Sequence, residues 1–441
     1  MQPSARLAAA IELLDSIEAA ILSRGMPADR IVSDYFRARR YAGSKDKRAI
    51  SDLVYAVLRA REWLMWGLAQ AGLAPSGRAL LIAQLSRQSD GMLALFGTGD
   101  SFAPEGLNEE EARSVRLLAG LGWGQAPLAA RLNIPAWAEE GLRARFGADF
   151  EQGGTALLEN APLDVRLNML RANENKLTQY LKINHQDIEK HKYSNFGWRI
   201  VARLNLGAEK AYRDGLVEIQ DEAAQVASGL VGARAGHQVI DLCAGAGGKS
   251  LAMAAEMENR GQIHAFDISG KRLADFRARL KRAGVHNIQV IRLAAEGDGR
   301  ADALRPFGAS ADRVVVDVPC TGSGTWRRSP DQRWRFDSES LKDLNHLQAS
   351  LLAEGAGMVR PGGRLYYMTC SLLPQENEHI VQGFMAASGA KWRLLDYRDV
   401  WQETLENAAP QTLSSIQECL QLAPHAHGTD GFFVAVFERQ A

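Results

Sequence analysis
Between residues 236 and 370, short apolar runs alternate with longer amphipathic stretches. "QVIDLC", "QIHAFDI", "NIQVIRL", "RVVVDVP" and "GRLYYMTC" are compact and rich in β-branched or aromatic residues. Between them, "GGKSLAMAAEM", "GKRLADFRARLKRAG" and "LKDLNHLQASLLAEGAGMV" repeat their apolar residues at helical spacing. Strands separated by helices in this way predict a doubly wound, mainly parallel sheet. "KWRLLDYRDVW" and "GFFVAVFERQ" come last, the second with no helix after it, and predict an antiparallel edge.

The upstream pattern differs. Leu7, Ile11, Leu14, Ile17 and Ile21 recur at helical spacing. Ser51 reads as the cap of a second helix, with Leu53, Val57, Ala60, Leu64 and Leu68 on one face and Gly72 near its end. Helical patterns continue to Phe146 without strand alternation, and "GADFEQGGT" (147–155) reads as a linker. Residues 162–232 look mixed: "PLDVRLNML" and "WRIVARLN" suggest strands, "NENKLTQYLK" a helix between them, and "VEIQDEAAQVASGLVG" (217–232) a helix leading onward. The expected organisation is therefore multidomain: an all-α domain over 1–146, a small α+β extension over 155–232 and an α/β domain over 233–441.

Composition narrows the class. A chain of 441 residues is too long for one core, and 46% apolar content is that of a globular protein. No apolar run is long enough to span a membrane, and "MQPSARLAAAIELL" lacks the features of a secretory leader. The four cysteines contain no CxxC pair, which argues against structural zinc and for a reducing, cytoplasmic setting. Lys plus Arg equals Asp plus Glu at 52 each, but the basic residues cluster. Arg24 to Arg61 holds ten against four, Lys271 to Arg292 seven against one, and "TWRRSPDQRWR" (325–335) four against Asp331. Three such runs suggest local contact with a polyanion.

"VIDLCAGAGGKS" (239–250) reads as a strand, a Gly-rich turn and a helix, an arrangement that brings backbone N–H groups to a ligand. The P-loop pattern fails because Cys243 stands at its first glycine, and the dinucleotide pattern fails at Ser250. The turn of Rossmann-like methyltransferases, which bind S-adenosylmethionine, remains. Asp267 ends the second strand, where an acid can accept from both ribose hydroxyls.

Asp317 and Cys320 follow the fourth strand and Cys370 the fifth. In a doubly wound sheet these strand ends border one crevice. Pro374 reads as opening a helix whose N-terminus lies near Cys370. A thiolate beside a methyl donor suits one difficult reaction: C5 of cytosine or uracil is a poor nucleophile until a thiolate adds to C6. Asp317 is placed to stabilise the adduct at N3. Two cysteines allow one to attack and the other to assist departure.

"DLCAGAGGKS", "FDISGKRL", "DVPCTGSGTWRRSPDQRWR", "RPGGRLYYMTCSLLPQENE" and "DGFFVAVFER" together resemble the RNA cytosine-C5 methyltransferases of the Sun/Fmu type, in their RsmB-like branch. The resemblance covers about residues 155–440. It implies a Rossmann-like class I methyltransferase domain, Cys370 as nucleophile, Cys320 as the residue aiding product release and Asp317 as the acid beside cofactor and base. It implies S-adenosylmethionine held by Cys243, Ala244, Gly245, Ala246, Gly247, Gly248, Lys249, Asp267, Arg272 and Asp317. Many members carry an acid just after strand three, where this chain has Ala294 and Ala295. "RRYAGSKDKRAISDLVYAVLR" (39–59) resembles the helical NusB-like domain of that branch, which implies RNA binding. Tyr41, Trp63 and Trp66 read as core in preference to base-stacking residues, and the arginines of 325–335 as RNA contacts. The expected protein is a monomeric cytoplasmic enzyme without metal, acting on small-subunit ribosomal RNA. The alternatives are a tRNA methyltransferase, a DNA methyltransferase using Cys320, or a non-catalytic ribosome assembly factor.

Overall fold
A computed structural model describes residues 1–88, 91–173, 175–176, 188–201 and 206–441. The chain divides into two compact units, one of Met1–Asn160 with Thr325–Ser340, the other of Ala161–Gly324 with Leu341–Ala441.

The first unit is helical: α1 (Pro3–Leu22), α2 (Ala28–Ala38), α3 (Ser44–Leu58), α4 (Arg61–Ala71), α5 (Gly77–Gln88), α6 (Glu109–Ala119), α7 (Leu128–Arg131), α8 (Ala136–Phe146) and α9 (Phe150–Ala156). Leu7, Leu14 and Ile17 of α1 pack in one core with Ile50 and Val54 of α3, Leu64 of α4 and Leu81 of α5. Ser51 lies inside α3 and caps nothing; the true cap is Gly43, whose N–H meets Asp46. The single expected helix is broken after Leu58. There Asn133 donates to Leu58 O (3.0 Å) and accepts from Glu62 N (2.8 Å), satisfying the backbone groups that the break exposes. Gly72 ends α4 in the left-handed conformation.

The stretch 147–155 is not a linker. Phe150 is buried, and Gly153 and Gly154 lie so close to Phe146 and Leu132 that an added Cβ would sit 2.7 Å from either side chain. Trp63 and Trp66 pack edge-on to Trp123, as core residues do, while Tyr41 is exposed. The arginine-rich segment 325–335 departs most from expectation. Trp326 and Arg333 are fully buried and Arg327 nearly so. Arg333 donates to the carbonyls of Leu132, Asn133 and Leu157, and its own carbonyl accepts from Trp137 Nε1 at 2.9 Å. Arg335 donates to Gly25 O and Met26 O. The Arg333 guanidinium closes buried carbonyls instead of facing RNA, because a buried carbonyl left unpaired is costly, while Arg335 binds carbonyls of the exposed turn at Gly25 and Met26.

The second unit opens with an antiparallel sheet, β1 (Leu163–Leu167), β2 (Ile188–Lys190), β3 (Gly197–Ile200) and β4 (Val217–Ile219), in the order β2-β3-β1-β4. A short helix α10 (Lys210–Arg213) precedes β4, and α11 (Glu222–Leu230) follows it. Residues 217–219 were expected to be helical; they pair with β1, and the helix starts only where Asp221 accepts from Ala223 N. The helix expected over 173–182, apart from its first residues, and the end of "WRIVARLN" lie outside the described residues.

Next come β5 (Gln238–Asp241), α12 (Gly248–Glu256), β6 (Gln262–Asp267), α13 (Gly270–Ala283), β7 (Ile288–Arg292), α14 (Asp298–Leu304) and β8 (Ala311–Asp317). They are followed by α15 (Ser338–Ala356), β9 (Val359–Thr369), α16 (Glu378–Ser388), β10 (Trp392–Leu395), α17 (Tyr397–Thr404), β11 (Leu420–Leu422), α18 (Pro424–His427) and β12 (Phe432–Arg439). The sheet order is β10-β12-β9-β8-β5-β6-β7, parallel from β9 to β7, with β11 paired to β12. Val239 packs with Val226 and Met253 on one face, and Ile240 with Phe266 and Leu352 on the other. Burial on both faces is what continuous apolar strands require. β10 and β12 form the expected antiparallel edge of the sheet, with β10 outermost and β12 between it and β9. The "FFVAVF" of β12 is apolar at every position because both sides are covered. This is a Rossmann-like mixed sheet. Among the described residues no helix is long and apolar enough to cross a membrane.

Candidate active site
The parallel register places the carboxyl ends of β5, β6, β8 and β9 along one edge of the sheet. The Gly-rich turn, Asp267, Asp317–Cys320 and Cys370 all follow directly from these ends.

The turn is built around two left-handed glycines. Gly247 has φ +82, and a Cβ there would meet the Phe276 ring at 2.1 Å. Gly245 has φ +57 with nothing within 4 Å of its Cβ position. The first glycine is needed for packing against α13; the second leaves a concave, open backbone. Asp267 accepts from Gly245 N at 2.9 Å through one oxygen and from Ser269 N at 2.7 Å through the other. It therefore pins the turn, while the cap of α13 is Ser269, which accepts from Arg272 N. The Arg272 side chain is exposed. Ala244 N donates to Phe266 O, Ala246 O accepts from Arg279, and Gly248 begins α12. Cys243 packs against the core under the turn, and burial, with Asp241 nearby, pushes its thiol pKa far up. An inert thiol there supplies backbone only.

Lys249 reaches from α12 to Asp317, with Nζ 2.5 Å from Oδ2. Burial works against its charge, but Asp317 and then Asp241 more than offset this, so its pKa is raised. Its ammonium also lies 4.9 Å from the centre of the Phe432 ring. Asp241, wholly buried beneath, accepts from Ser250 Oγ at 2.5 Å; burial raises its pKa to about 7.

The two sulfurs of Cys320 and Cys370 are 3.3 Å apart, both half-buried. β8 and β9 are neighbours with Asp317 opposite Met368, so the loops leaving them run side by side. Several bonds stitch these loops together. Gly324 N donates to Cys370 O (2.9 Å), Leu372 N donates to Ser323 Oγ (2.8 Å), and Ser323 and Ser371 share a hydrogen bond of 3.0 Å. The hydrogen bond to Cys370, and after it burial, push the Cys320 thiol pKa well up.

One carboxylate missed in the sequence sits at the centre of this stitching. Glu376 is fully buried. Its Oε1 accepts from Thr321 N and from Gln348 Nε2, both at 2.9 Å. Its Oε2 accepts from Thr321 Oγ1 at 2.5 Å and from Ser371 Oγ. Thr321 adjoins Cys320 and Ser371 adjoins Cys370, so one side chain fixes both cysteine loops. Burial raises its pKa even against these four donors. The polar run "PQENE" was the available signal, but it read as a helix start. Residues 374–377 instead form a turn, and α16 begins at Glu378. The turn exists because Asn377 is used sideways: it accepts from Thr369 Oγ1 (2.7 Å) and donates to Ser371 O (3.0 Å).

After β7, Ala294 and Ala295 are exposed, as are Glu296 and Asp298. Among the described residues no group of acidic, His or Cys side chains is arranged to hold a metal.

Residues 230–438 match the family described as 16S rRNA methyltransferase RsmB/F. A probable ribosomal RNA small subunit methyltransferase B of a Synechocystis strain is 29% identical over 421 residues, spanning 88% of this chain and 90% of that protein. The crystal structure of PH0851 matches with a TM-score of 0.75 at 22% identity, over 100% of this chain and 99% of that one. A methyltransferase homologue from Pyrococcus horikoshii matches with a TM-score of 0.60 at 26% identity, over 71% of this chain and 97% of that one.

Proposed function
Because residues 230–438 belong to the RsmB/F family of S-adenosylmethionine-dependent methyltransferases, we propose that this chain methylates C5 of cytosine in small-subunit ribosomal RNA through a covalent adduct with Cys370. The observation that carries the proposal is the pair of sulfurs 3.3 Å apart at adjacent strand ends, beside the Lys249–Asp317 ion pair. The substrate class follows the name of the Synechocystis relative.

The residues of the crevice fit the cofactor. The open backbone at Gly245, the Asp267 carboxylate beside it and the Lys249–Asp317 pair give an uncharged adenosine and a cationic sulfonium suitable partners. S-adenosylmethionine supplies an electrophilic methyl group. The chain supplies everything that makes the base reactive. A target base leaves its stack to enter the crevice. Cys370 Sγ, as thiolate, bonds to C6, and the electrons of the C5–C6 double bond make C5 nucleophilic. Lys249 occupies Oδ2 of Asp317, which leaves Oδ1 available to orient the N3–N4 edge of the base. After C5 is methylated, its proton passes to solvent water acting as base, the C–H electrons restore the C5–C6 double bond, and the C6–S bond breaks to release the Cys370 thiolate. Cys320, its sulfur 3.3 Å away, donates a hydrogen bond to that departing sulfur and eases the bond cleavage.

The test uses RNA containing 5-fluorocytosine, in which the C5 proton is replaced and elimination is blocked. Wild type with the cofactor should give an adduct that survives a denaturing gel. Cys370→Ala should abolish it and Cys320→Ala should retain it. An adduct lost only in Cys320→Ala would reverse the roles, and methylation found at another atom would overturn the proposal.

A further inference from the structure
Within the basic run Lys271–Arg292, Arg279 holds the Gly-rich turn through Ala246 O, and the C-terminal end of the run has a separate setting. The last turn of α13 meets α10 and the turn after β1 around an open groove of about 1000 Å³. Arg171, Lys176, Lys210, Arg213, Lys281 and Arg282 line it, against a single lining carboxylate, Asp214. Asp214 is engaged by Lys210. Arg282 is held by buried Glu218 at 2.6 Å and lies 4.0 Å over the Tyr212 ring. Arg171, Lys176, Arg213 and Lys281 are exposed and have no ion-pair partner among the described residues.

The groove is built rather than incidental. Gly284, with φ +72, ends α13, and a Cβ there would meet the Arg171 guanidinium at 2.9 Å. A cation laid across a helix C-terminus is favoured by the helix dipole. Gly215, also with φ +72, sits where a Cβ would meet Arg282 O at 2.1 Å. Two glycines thus bring three separate elements close enough for their cations to share one groove. Apart from Leu170, Leu216 and Ala278 the lining offers no apolar anchor of the kind a protein partner needs.

We infer that this groove binds the phosphodiester backbone of the substrate RNA at a distance from the target base, an inference that rests on the RNA reading above. α13 starts three residues after Asp267 at the crevice edge and runs 14 residues to the groove, about 20 Å at 1.5 Å per residue. That distance corresponds to roughly six base-pair steps of a duplex. The groove therefore takes RNA flanking the methylated position, and short substrates do not reach it.

The experiment compares full-length wild type with the variant Arg171→Gln, Arg213→Gln, Lys281→Gln, and with Arg305→Gln, an exposed cation elsewhere, as the charge control. Each is assayed on a long small-subunit RNA fragment and on an oligonucleotide of a few nucleotides around the target, over a range of salt. Wild type should bind the long RNA more tightly than the short one. The triple variant should lose roughly 10- to 100-fold in affinity for the long RNA, with the slope of log affinity against log salt reduced by about 2 to 3. The control should keep both. A triple variant with wild-type affinity and slope on long RNA overturns the inference, as does an equal loss on long and short RNA. If wild type itself neither binds nor methylates either RNA, the RNA reading falls and the groove with it. Folding is checked independently by S-adenosylmethionine binding, since all three replaced side chains are exposed.

Discussion

Glu376 offers the sharpest check on how the crevice is held. Its carboxylate takes four donors from three side chains and one backbone N–H, all buried. Glu376→Ala leaves Thr321 N with no acceptor and Gln348 Nε2 with Pro319 O alone, whereas the two hydroxyls can turn elsewhere. An unpaired buried donor costs about 1–3 kcal/mol. With the space left by the side chain added, the loss is roughly 3–6 kcal/mol, a large share of ordinary domain stability. Glu376→Gln is nearly isosteric. Its carbonyl still serves Thr321 N and Gln348, and its amide can donate to the Thr321 and Ser371 hydroxyls. It gives up only the charge assistance, about 1 kcal/mol per bond, and avoids the burial of a charge. Two units do not unfold as one transition, so the transition to follow is the one that S-adenosylmethionine raises. In that transition Glu376→Ala should fall far below wild type and Glu376→Gln close to it. In the adduct assay Glu376→Gln should form the covalent complex, more slowly than wild type because both cysteine loops are held less firmly. A Glu376→Ala protein that melts with wild type would refute the idea that this carboxylate ties the loops.

Asp241 gives a pH prediction. Its folded carboxyl is raised from 3.8 to about 7 by burial, so the folded protein holds that proton more tightly than the unfolded chain. This contribution is complete below about pH 4 and is lost as the pH rises through about 7, on the order of 4 kcal/mol in all at 1.36 per unit. The melting temperature of Asp241→Asn should therefore gain on wild type between pH 5 and pH 8, and a constant gap would contradict the assignment. Gly247→Ala should destabilise the methyltransferase unit severely, because the added carbon enters the Phe276 ring, whereas Gly245→Ala should cost about 1 kcal/mol of backbone strain and act mainly on cofactor affinity, read by calorimetry. Arg333→Met should lower the denaturation midpoint of the helical unit by about 3 kcal/mol, since three carbonyls lose a charged donor; an unchanged midpoint would return the segment to the solvent-facing role its composition suggested.

The sequence is legible where one residue faces one demand. Parallel strands buried on both faces must be apolar throughout, so β5 to β9 stand out, and Asp267, Asp317, Cys320 and Cys370 follow because they end such strands. It is misleading where a residue's partner is remote in the chain. Arg333 carries no mark that distinguishes a guanidinium bound for RNA from one that will close three carbonyls about 200 residues upstream. Glu376 looks like any acid opening a helix until Thr321, 55 residues earlier, is brought against it. β10 and β12 were legible as an antiparallel edge because they come last with no helix after them, and the unbroken apolar run of β12 marks it as the inner strand of that pair, since a strand exposed on one face would alternate. The same reasoning separates the three basic runs. A cation needs an acceptor when buried and a polyanion, or only water, when exposed. Burial commits Arg327 and Arg333 to the protein interior, whereas Lys281 at the C-terminal end of α13 is exposed, as the proposed RNA contact requires. Net charge, zero over the whole chain, could not have drawn that distinction.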